Sequence, residues 1–404
     1  MKSSPIYGLL LINEGLEEHA KLYIRTLVPA TIIATAPGML IMSVLTIEDL
    51  CELAYRTQLC NQVFLIVKRF VQTKNTESTE IACILNDLLT TEDKTLLKKI
   101  VQPHATMRMI IKSKQMIDTP EYEREIGGTL KTILEEEGIP TTVNLKHPHI
   151  TAYTFMDIIL EEKEHTLLCI DISGDIAKRE YRVFNSSMSL KGTTAFGVLM
   201  IAGYQPTDVM FDPYCNSGTL IIEAALYASK MSPWWYRKEF PFHQFACFKD
   251  KDWDKFYAKI DKEHTTEKLP ITGSDPLLRN ITAACKNAKV AGVEKQVHFR
   301  RIDTDWLDIK MEESSVDKII TFIPGSSKHK SHQKEYKEFF YQAEYIIKPK
   351  GLITILCITK EQLLTTAEEF VDFVCEKLVY SGQQALWVLC FKKRAKTKGK
   401  EKNK

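Results

Sequence analysis

The stretch from residue 211 to residue 225, FDPYCNSGTLIIEAA, constrains the fold of this chain more than any other. An apolar run ends there and is stopped by Asp212 and Pro213, and small residues at 216–219 form a turn before a run of helix formers. In a parallel α/β sheet such a joint lies where the first strand ends. Unpaired helix N–H groups and small side chains then let a ligand approach closely. A strand–glycine–helix joint that binds nothing fits the same pattern.

Two later strand ends strengthen the case for a ligand. A short predicted strand at residues 271–275 ends in Asp275, and a third, at residues 297–302, ends at Asp303, which Thr304 follows. An acid at the tip of the second strand can accept both hydroxyls of a ribose, and an acid after the third can reach an adenine amine. The three turns in this order predict a site for an adenosine-containing cofactor. The hydride-transfer fingerprint G-x-G-x-x-G is not present in the sequence.

Length and charge are those of an ordinary globular protein of two or three domains. The chain has 404 residues, 44% of them hydrophobic and 26% charged, with a formal net charge of +2. Residues 392–404 carry seven Lys, one Arg and one Glu, so this end contributes +7 and the rest about −5. The end is too polar to fold and is predicted to be a solvated, disordered tail, which can add salt-sensitive affinity for RNA.

Cysteine usage and hydropathy indicate a cytoplasmic protein. The ten cysteines are scattered without a C-x-x-C pair, which predicts reduced thiols and no metal site. No signal peptide is recognisable, and the uncharged stretch at residues 26–47 is interrupted by Pro29, Pro37 and Gly38. Two strands joined by a turn explain that stretch better than a membrane span does, so no membrane partner is expected.

The first half reads as an α+β module and the last third as alternating helices and strands. The spacing of Leu and Ile predicts one helix over residues 81–100, and a strand at 107–114 precedes a helix that begins near residue 119. Gly127 and Gly128 inside that helix indicate close packing or neutral tolerance. Near the end, a helix at 361–377 is predicted to lead into an antiparallel strand pair.

Four stretches, taken in order, carry a family resemblance. They are EREIGG at 123–128, VNLKHP at 143–148, IDISG at 170–174 and KREYR at 178–182. Together they resemble a THUMP domain, a module that recognises the 3′ acceptor end of tRNA, and its exit. The neighbouring DPYCNSGT is similar to the DPMCGSGT of methyltransferases that carry THUMP domains. The whole chain most resembles the archaeal and eukaryotic tRNA (guanine-N2)-methyltransferases, which modify the acceptor stem.

This resemblance implies an α/β fold with a class I, Rossmann-like methyltransferase domain. The implied parts are an N-terminal ferredoxin-like part at 1–60, a THUMP domain at 61–174, a linker at 175–190, the methyltransferase domain at 191–392 and a basic tail at 393–404. It also implies S-adenosyl-L-methionine as cofactor and the tRNA acceptor end as partner. Relatives of this type pair with a small zinc-binding activator protein, which no residue of this chain indicates.

The resemblance assigns cofactor contacts to nine residues. They are Asp212, Cys215, Asn216, Ser217, Gly218, Thr219, Asp275, Asp303 and Thr304. Asp275 would hold the ribose, Asp303 the adenine region and the turn the methionine half. In the family, the segment that corresponds to residues 189–193 packs over the cofactor, although a plain helix start explains it equally well.

RNA contacts are predicted for a set of cations and, less directly, for an aromatic insertion. The cations are Arg108, Lys112, Lys114, Arg124, Lys131 and Lys146, with Lys178, Arg179 and Arg182 on the linker. Each alone is more typical of a solvated side chain, so the prediction concerns the set. The aromatic residues at 234–242 could stack on a base, but packing against the sheet is the favoured interpretation.

The motif that carries the chemistry departs from the family pattern. Enzymes that methylate an exocyclic amine hold the NH₂ with a side-chain acceptor and a main-chain carbonyl, and the family motif is Asp or Asn, any residue, Pro, then Phe or Tyr. Here the sequence is Phe322, Ile323, Pro324, Gly325. No acceptor side chain remains, although Ile323 can still present its carbonyl. Asn216 also replaces the motif glycine and is the next-best residue for a positive φ.

Two functions therefore stay open, with a third behind them. The first is an S-adenosylmethionine-dependent tRNA methyltransferase that forms N2-methylguanosine. The second is a catalytically impaired relative that acts as an RNA-binding or assembly factor. A small-molecule amine methyltransferase ranks below both, because it would have no use for a THUMP module.

Overall fold

The computed structural model describes residues 5–71, 77–185, 189–323 and 332–394. Its strands are Ile6–Leu11 (β1), Thr31–Ala36 (β2), Met39–Val44 (β3), Gln62–Val71 (β4), Thr106–Lys112 (β5), Thr142–Val143 (β6), Ile150–Leu160 (β7), Lys163–Asp171 (β8), Met210–Asp212 (β9), Ile271–Ser274 (β10), His298–Arg300 (β11), Val316–Phe322 (β12), Ile347–Cys357 (β13), Val371–Ser381 (β14) and Gln384–Lys393 (β15). Its α-helices are Glu17–Leu27 (α1), Ile47–Arg56 (α2), Ser78–Leu88 (α3), Thr91–Ile100 (α4), Thr119–Glu136 (α5), Gly192–Ile201 (α6), Thr219–Ala228 (α7), Trp253–Ile260 (α8), Leu278–Ala291 (α9), Leu307–Lys310 (α10), Gln333–Ile346 (α11) and Glu361–Ala367 (α12).

The first eight strands form one mixed sheet in the order β2-β3-β1-β4-β8-β7-β5-β6. Most neighbours are antiparallel, and β5 runs parallel to both β7 and β6. Strand β4 pairs with β1 on one side and with β8 on the other. The ferredoxin-like part and the THUMP domain predicted on either side of residue 60 therefore contribute to one continuous sheet.

Aromatic side chains fill the core of this sheet, and α5 lies close to it. Phe64 and Phe155 are buried and meet edge to face, with ring centroids 5.1 Å apart. A Cβ on Gly127 of α5 would lie 3.1 Å from Cβ of Met109, whereas one on Gly128 would meet nothing within 4 Å. Close packing against Met109 thus accounts for Gly127. At Gly128 a larger side chain would fit, so the glycine there is only tolerated.

One helix predicted from hydrophobic spacing is two helices. The prediction of a single helix over residues 81–100 is wrong, because α3 ends at Leu88 and α4 begins at Thr91. Thr90 caps the second helix: its hydroxyl accepts from Asp93 N while the Asp93 carboxylate accepts from Thr90 N. This reciprocal capping box stabilises a new helix start where the apolar period alone shows no break.

The second sheet has seven strands in the order β11-β10-β9-β12-β13-β15-β14. The first five in that order are mutually parallel, and β15 pairs antiparallel with both β13 and β14. The chain adds strands on one side of β9 and then continues on the other side at β12. A sheet of this kind binds ligands where the order reverses. The predicted α/β, Rossmann-like fold is confirmed.

Hydrophobic packing explains why the central strands of this sheet are buried on both faces. Ile319 of β12 and Ile355 of β13 have no exposed surface and share a core with Phe339 of α11. The residues that follow them, Ile320 and Leu356, point to the other face of the sheet and are equally buried. Continuous apolar runs of this kind are typical of parallel strands that are covered on both sides.

The predicted helix at residues 361–377 is too long. Helix α12 ends at Ala367, and β14 already begins at Val371. Five successive residues of β14, from 372 to 376, are exposed, so this edge strand lacks the alternating burial by which sequence patterns reveal strands.

The chain forms two compact units, and two segments belong to a different unit from their sequence neighbours. The first unit comprises Met1–Ile12, Ala20–Ile176 and Trp234–Lys262, and the second comprises Asn13–His19, Ala177–Pro233 and Glu263–Lys404. The aromatic insertion at 234–242 is thus part of the first unit, where Phe240 stacks on Phe242 and packs against Tyr55. Burial of Phe240 and Phe242 supports the packing interpretation for these two rings, whereas Tyr236 is exposed.

The described residues bear on three features of the whole protein: membrane-spanning helices, metal sites and the state of the cysteines. None of the helices in the described parts of the chain is both long and apolar enough to cross a membrane. Among the same residues, no group of three or more His, Cys, Asp or Glu side chains is placed to hold a metal ion. All ten cysteines are free thiols.

Candidate active site

The turn at residues 212–219 joins β9 to α7 and is fixed by two main-chain hydrogen bonds. Gly218 N donates to Cys215 O at 2.7 Å, and Cys215 N donates to Ser274 O of β10 at 2.8 Å. The second bond holds the turn against the end of the neighbouring strand. The amino terminus of α7, with its unpaired N–H groups, is therefore held at the carboxyl edge of the sheet.

Two residues of this turn adopt a left-handed backbone. Gly218 has φ +84°, and a Cβ there would lie 2.9 Å from Cβ of Ala284 on α9. Only glycine fits at that position. Asn216 has φ +50°, which confirms the positive φ predicted for it, because asparagine tolerates this conformation better than other residues with a side chain.

Asp212 is the last residue of β9 and is almost completely buried. Thr321 Oγ1 on β12 donates to Asp212 Oδ1 at 2.7 Å, and Tyr214 N donates to the same oxygen at 3.1 Å. Burial raises the pKa of Asp212 to about 7; the two hydrogen bonds oppose this shift and the nearby Asp275 carboxylate reinforces it. This carboxyl group therefore changes charge close to neutral pH.

Asp275 follows β10 and is engaged by its own chain. Its Oδ2 accepts from Asn216 N at 3.1 Å, and its Oδ1 accepts from Leu277 N at 2.9 Å and from Asn280 Nδ2 at 3.0 Å. A carboxylate offers about four acceptor sites, so about one remains for a ligand hydroxyl. Binding both hydroxyls of a ribose, as the sequence predicts, would require one of the three internal bonds to open.

A cavity of about 500 Å³ lies where β9, β10, β11 and β12 end. This volume is within the range of sites for small ligands. The predicted cofactor residues that line it are Asp212, Cys215, Asn216, Ser217, Thr219, Asp275, Asp303 and Thr304. Gly218 does not line the cavity and instead allows the close contact with α9. The structure thus brings together the three strand ends on which the cofactor prediction rests.

Of the three positions predicted to carry the chemistry, two line this cavity. Phe322 ends β12 and Ile323 follows it, and both side chains are partly buried. Ile323 N donates to Leu356 O of β13 at 2.9 Å, which fixes the backbone at this point. Pro324 lies outside the described residues.

The cavity also has a lining that the sequence predictions missed. It includes Tyr214, Asn280 and Asp305, together with His332, Glu335 and Tyr336 at the start of α11. His332 Nδ1 lies 2.5 Å from Glu335 Oε2. The signal that could have found this pair is a His and a Glu three residues apart at the start of a predicted helix that follows the chemical motif.

The charge of the cavity is one-sided. Its titratable side chains include five carboxyl groups, those of Asp212, Asp275, Asp303, Asp305 and Glu335, while the described lining contains neither Lys nor Arg. An arrangement of this kind favours a cationic ligand or a ligand that donates hydrogen bonds.

The linker contributes to the cavity through Ser189 and Leu190. Ser189 Oγ lies 2.7 Å from Ser217 Oγ in the turn. Asn287 of α9 also contacts this turn, since its Nδ2 donates to Ser217 O at 3.0 Å, and its Oδ1 accepts from Phe184 N at 2.9 Å. Of residues 189–193, Ser189 thus contacts the turn and lines the cavity, which supports the interpretation that this segment lies at the ligand site.

The nine cations predicted to contact RNA differ in their exposure. Exposed side chains are those of Lys112, Lys114, Arg124, Lys146 and Lys178. Three others are partly buried and bonded to the chain: Arg108 Nη1 donates to Leu145 O, Arg182 Nη2 donates to Ser189 O, and Lys131 pairs with Glu135. RNA contact stays a prediction for these eight.

For Arg179 the RNA prediction is wrong. Its side chain has no exposed surface, and its Nε donates to Glu223 Oε1 of α7 at 2.8 Å. Tyr181 donates its hydroxyl hydrogen to the same oxygen at 2.7 Å. A buried guanidinium that neutralises a buried carboxylate cannot reach a phosphate, so Arg179 has a structural role.

Comparison with protein-family models gives a match over residues 179–386, slightly more than half of the chain, to the family described as RMKL-like, methyltransferase domain. The chain belongs to this family. The matched residues contain the 212–219 turn, the cavity and the seven-stranded sheet up to β15.

Curated relatives of this RMKL-like methyltransferase chain include two named enzymes. It is 31% identical over 240 residues to the tRNA (guanine(6)-N2)-methyltransferase of Methanocaldococcus jannaschii, which covers 57% of this chain and 60% of that protein. It is 36% identical over 152 residues to the ribosomal RNA large subunit methyltransferase K/L of Shewanella woodyi, covering 36% of this chain and 21% of that protein. This chain thus spans less than two thirds of either relative's length.

Solved structures with the same fold cover nearly the whole chain. SMU.472 in complex with SAH superposes with a TM-score of 0.78 at 16% identity, covering 97% of this chain and 99% of that chain. TrmN from Thermus thermophilus superposes with a TM-score of 0.70 at 17% identity, covering 96% of this chain and all of the other. At these identities the likeness concerns the fold.

Proposed function

We propose that this RMKL-like methyltransferase is an S-adenosylmethionine-dependent tRNA methyltransferase that forms N2-methylguanosine in the acceptor stem. The observation that carries the proposal is the cavity in which the 212–219 turn, Asp275 and Asp303 meet at the reversal point of the sheet. Ligand sites of class I methyltransferases are expected there, and the family match covers this region.

The residues that line the cavity suit S-adenosylmethionine. This cofactor carries a positively charged sulfonium and an ammonium, and it supplies an electrophilic methyl group. The five carboxyl groups of the cavity favour these charges. Asp275 would accept from the ribose, Asp303 and Thr304 would lie beside the adenine, and the turn would hold the methionine half. The related fold of SMU.472, solved with SAH, supports this assignment.

RNA as substrate is supported by the names of the relatives and by the exposed cations. One relative acts on guanine of tRNA and the other is named for ribosomal RNA. Lys112, Lys114, Arg124 and Lys146 are exposed within residues 61–174, the predicted THUMP domain, and a set of such cations would bind phosphates. The zinc-binding activator and the cytoplasmic location stay predictions.

A second function is favoured by a specific observation. The family motif has a hydrogen-bond acceptor, Asp or Asn, at the position of residue 322. In this chain the residue is Phe322, which lines the cavity and has no polar side-chain atom. A chain that binds RNA and has lost its catalytic acceptor would serve as a non-catalytic RNA-binding or assembly factor. Calorimetry with S-adenosylmethionine, followed by nucleoside analysis of acceptor-stem RNA after incubation, separates the two. Cofactor binding with N2-methylguanosine formation supports the enzyme; RNA binding without either supports the factor.

The cofactor assignment makes a direct prediction for Asp275. Asp275→Ala removes the acceptor proposed for the ribose and three internal hydrogen bonds, so S-adenosylmethionine affinity should fall below detection in calorimetry. Asp254→Ala is the control, because Asp254 is an exposed carboxylate of α8. Asp275→Asn and a thermal melt separate lost contacts from lost folding. Wild-type affinity in a folded Asp275→Ala protein would remove Asp275 from this role.

A further inference from the structure

We propose that His332 and Glu335 form a proton-accepting pair that replaces the side-chain acceptor missing at position 322. This inference rests on the proposed methyltransferase function. Both residues lie at the start of α11 and line the same cavity as Phe322 and Ile323. The chain thus has a polar pair in the same cavity as the motif that has lost its own polar group.

The contact between the two side chains determines which ring nitrogen of His332 carries the hydrogen. His332 Nδ1 lies 2.5 Å from Glu335 Oε2, and a carboxylate can only accept, so Nδ1 carries the hydrogen. The other ring nitrogen, Nε2, is then the acceptor of a neutral imidazole. The imidazole is also the less exposed partner, at 24% of its side chain against 65% for Glu335. A carboxylate that orients a histidine base has this arrangement.

The proposed reaction needs such an acceptor. The lone pair of the guanine amine forms a bond to the methyl carbon, and the carbon–sulfur bond breaks with its electron pair left on sulfur. The nitrogen becomes positively charged and loses a proton. Nε2 of His332 takes that proton, and the Glu335 carboxylate offsets the charge of the imidazolium until solvent removes the proton. General bases of this kind contribute about 10²–10⁴-fold to rates.

Three of the four other carboxyl groups of the cavity are less suited to this role. Asp212 accepts from Thr321 and Tyr214, and Asp275 accepts three hydrogen bonds from its own unit. Asp303 follows β11, on the side of the cavity expected to hold adenine.

A purely structural role is the alternative. His332 is the N-cap residue of α11 and Glu335 is an acid in its first turn, where a carboxylate stabilises the helix. A capping pair would affect stability but would leave the pH dependence of catalysis unchanged. Titratable groups that share the cavity and would shape that dependence are Asp212, Tyr214, Cys215, Asp275, Asp303, Asp305 and Tyr336.

The test compares His332→Gln and Glu335→Gln with matched controls on exposed surface, His298→Gln and Glu313→Gln. Single-turnover methylation of acceptor-stem RNA is measured against pH, and cofactor affinity by calorimetry. We expect His332→Gln to lower the rate about 100-fold or more, to lose the acidic limb of the profile, and to keep wild-type cofactor affinity. Glu335→Gln should lower the rate less, and both controls should match wild type.

A second measurement needs neither cofactor nor RNA. Nitrogen-15 NMR of histidine-labelled protein should show His332 in the Nδ1–H tautomer, and Glu335→Ala should abolish that preference while the signals of the other histidines stay in place. A wild-type rate and profile in His332→Gln, or a different tautomer, would overturn the pair and leave the proposed function intact. Wild-type protein that binds the cofactor yet methylates no RNA would overturn the proposed function and the pair with it.

Discussion

At the scale of single residues, the cavity depends on carboxyl groups that main-chain and side-chain hydrogen bonds position. Asp275 is held by three hydrogen bonds, and Asp212 by two. Burial raises the pKa of Asp212 to about 7, and the nearby Asp275 carboxylate adds to this shift. Asp212 therefore responds to a bound cation and to pH, which makes it the residue through which cofactor binding can be observed.

The expected result is a pH-dependent affinity for S-adenosylmethionine. An acid whose folded pKa is raised stays protonated up to that pKa, so Asp212 is mostly neutral at pH 6 and mostly ionised at pH 8. A cation binds the ionised form more tightly, so affinity should rise between these values, by at most about tenfold for one proton. Calorimetry at several pH values measures it.

Asp212→Asn is the control for this prediction, because the amide has nearly the same shape and does not ionise. Its Oδ1 can still accept from Thr321 and from Tyr214 N. Affinity should then be nearly flat from pH 6 to pH 8. If the affinity of Asp212→Asn still rises with pH, the titrating group is another residue of the cavity.

Sequence reasoning reached the residues of this site to different extents. The positive φ of Asn216 followed from its place in the turn and its short polar side chain. The burial of Arg179 could not be predicted, because the residue that neutralises it, Glu223, lies 44 positions away on α7. His332 and Glu335 lie beyond the four-residue motif at 322–325, so the motif itself gives no signal for them.

At the scale of elements, the linker is attached to α7 by a buried ion pair. Nine of the ten residues of α7 are buried, among them Glu223. The Arg179 guanidinium and the Tyr181 hydroxyl both donate to its carboxylate. A Cβ on Gly192 would collide with that carboxylate, so the start of α6 also packs against this pair. The helix that follows the 212–219 turn is thus held by residues of the linker.

Arg179→Met should therefore destabilise the protein strongly. It removes the counter-charge that Arg179 gives the buried Glu223 carboxylate, and breaking a buried ion pair in this way typically costs about 3–5 kcal/mol. The measurement is urea unfolding followed by hydrogen exchange in α7. The double variant Arg179→Met with Glu223→Gln removes the charge and keeps an acceptor for Tyr181, so it should recover at least half of the loss. A single variant as stable as wild type would show that the pair is not required.

Element boundaries were predicted well where a polar residue ends an apolar run. They were predicted poorly where the hydrophobic period continues across the boundary or is absent. The strand ends at Asp212 and just before Asp275 followed from a polar residue that stops an apolar run. The break between α3 and α4 was hidden because Leu and Ile keep a helical period across it, although the Thr90–Asp93 capping box was a readable signal. In β14 the exposed residues left no period to read.

At the scale of the whole molecule, domain boundaries drawn along the sequence miss two exchanged segments. Asn13–His19 belong to the second unit although they lie between strands of the first, and Trp234–Lys262 belong to the first. Such assignments depend on contacts between residues far apart in sequence, which periodicity and composition do not encode. The fold class could be predicted because the order of strands and turns is a local property.

The contacts of residues 13–19 make the second unit sensitive to a change close to the start of the chain. Asn13 Nδ2 donates to Thr194 Oγ1 of α6 at 3.1 Å. Tyr380 N of β14 donates to Glu14 O at 2.9 Å. Gly15 has φ +92°, and a Cβ there would collide with the carbonyl oxygen of Leu378.

Gly15→Ala should destabilise β14, although Gly15 and Leu378 of β14 lie more than 360 residues apart in the sequence. The new Cβ meets main-chain atoms that cannot move without opening the strand, and alanine is strained at this φ, which alone costs about 1–2 kcal/mol. Hydrogen exchange should become faster at Tyr380 and its neighbours. Gly128→Ala is the matched control: its Cβ meets nothing within 4 Å, so it should be neutral or stabilise α5 by up to about 1 kcal/mol. Unchanged exchange at Tyr380 in Gly15→Ala would contradict the assignment of residues 13–19 to the second unit.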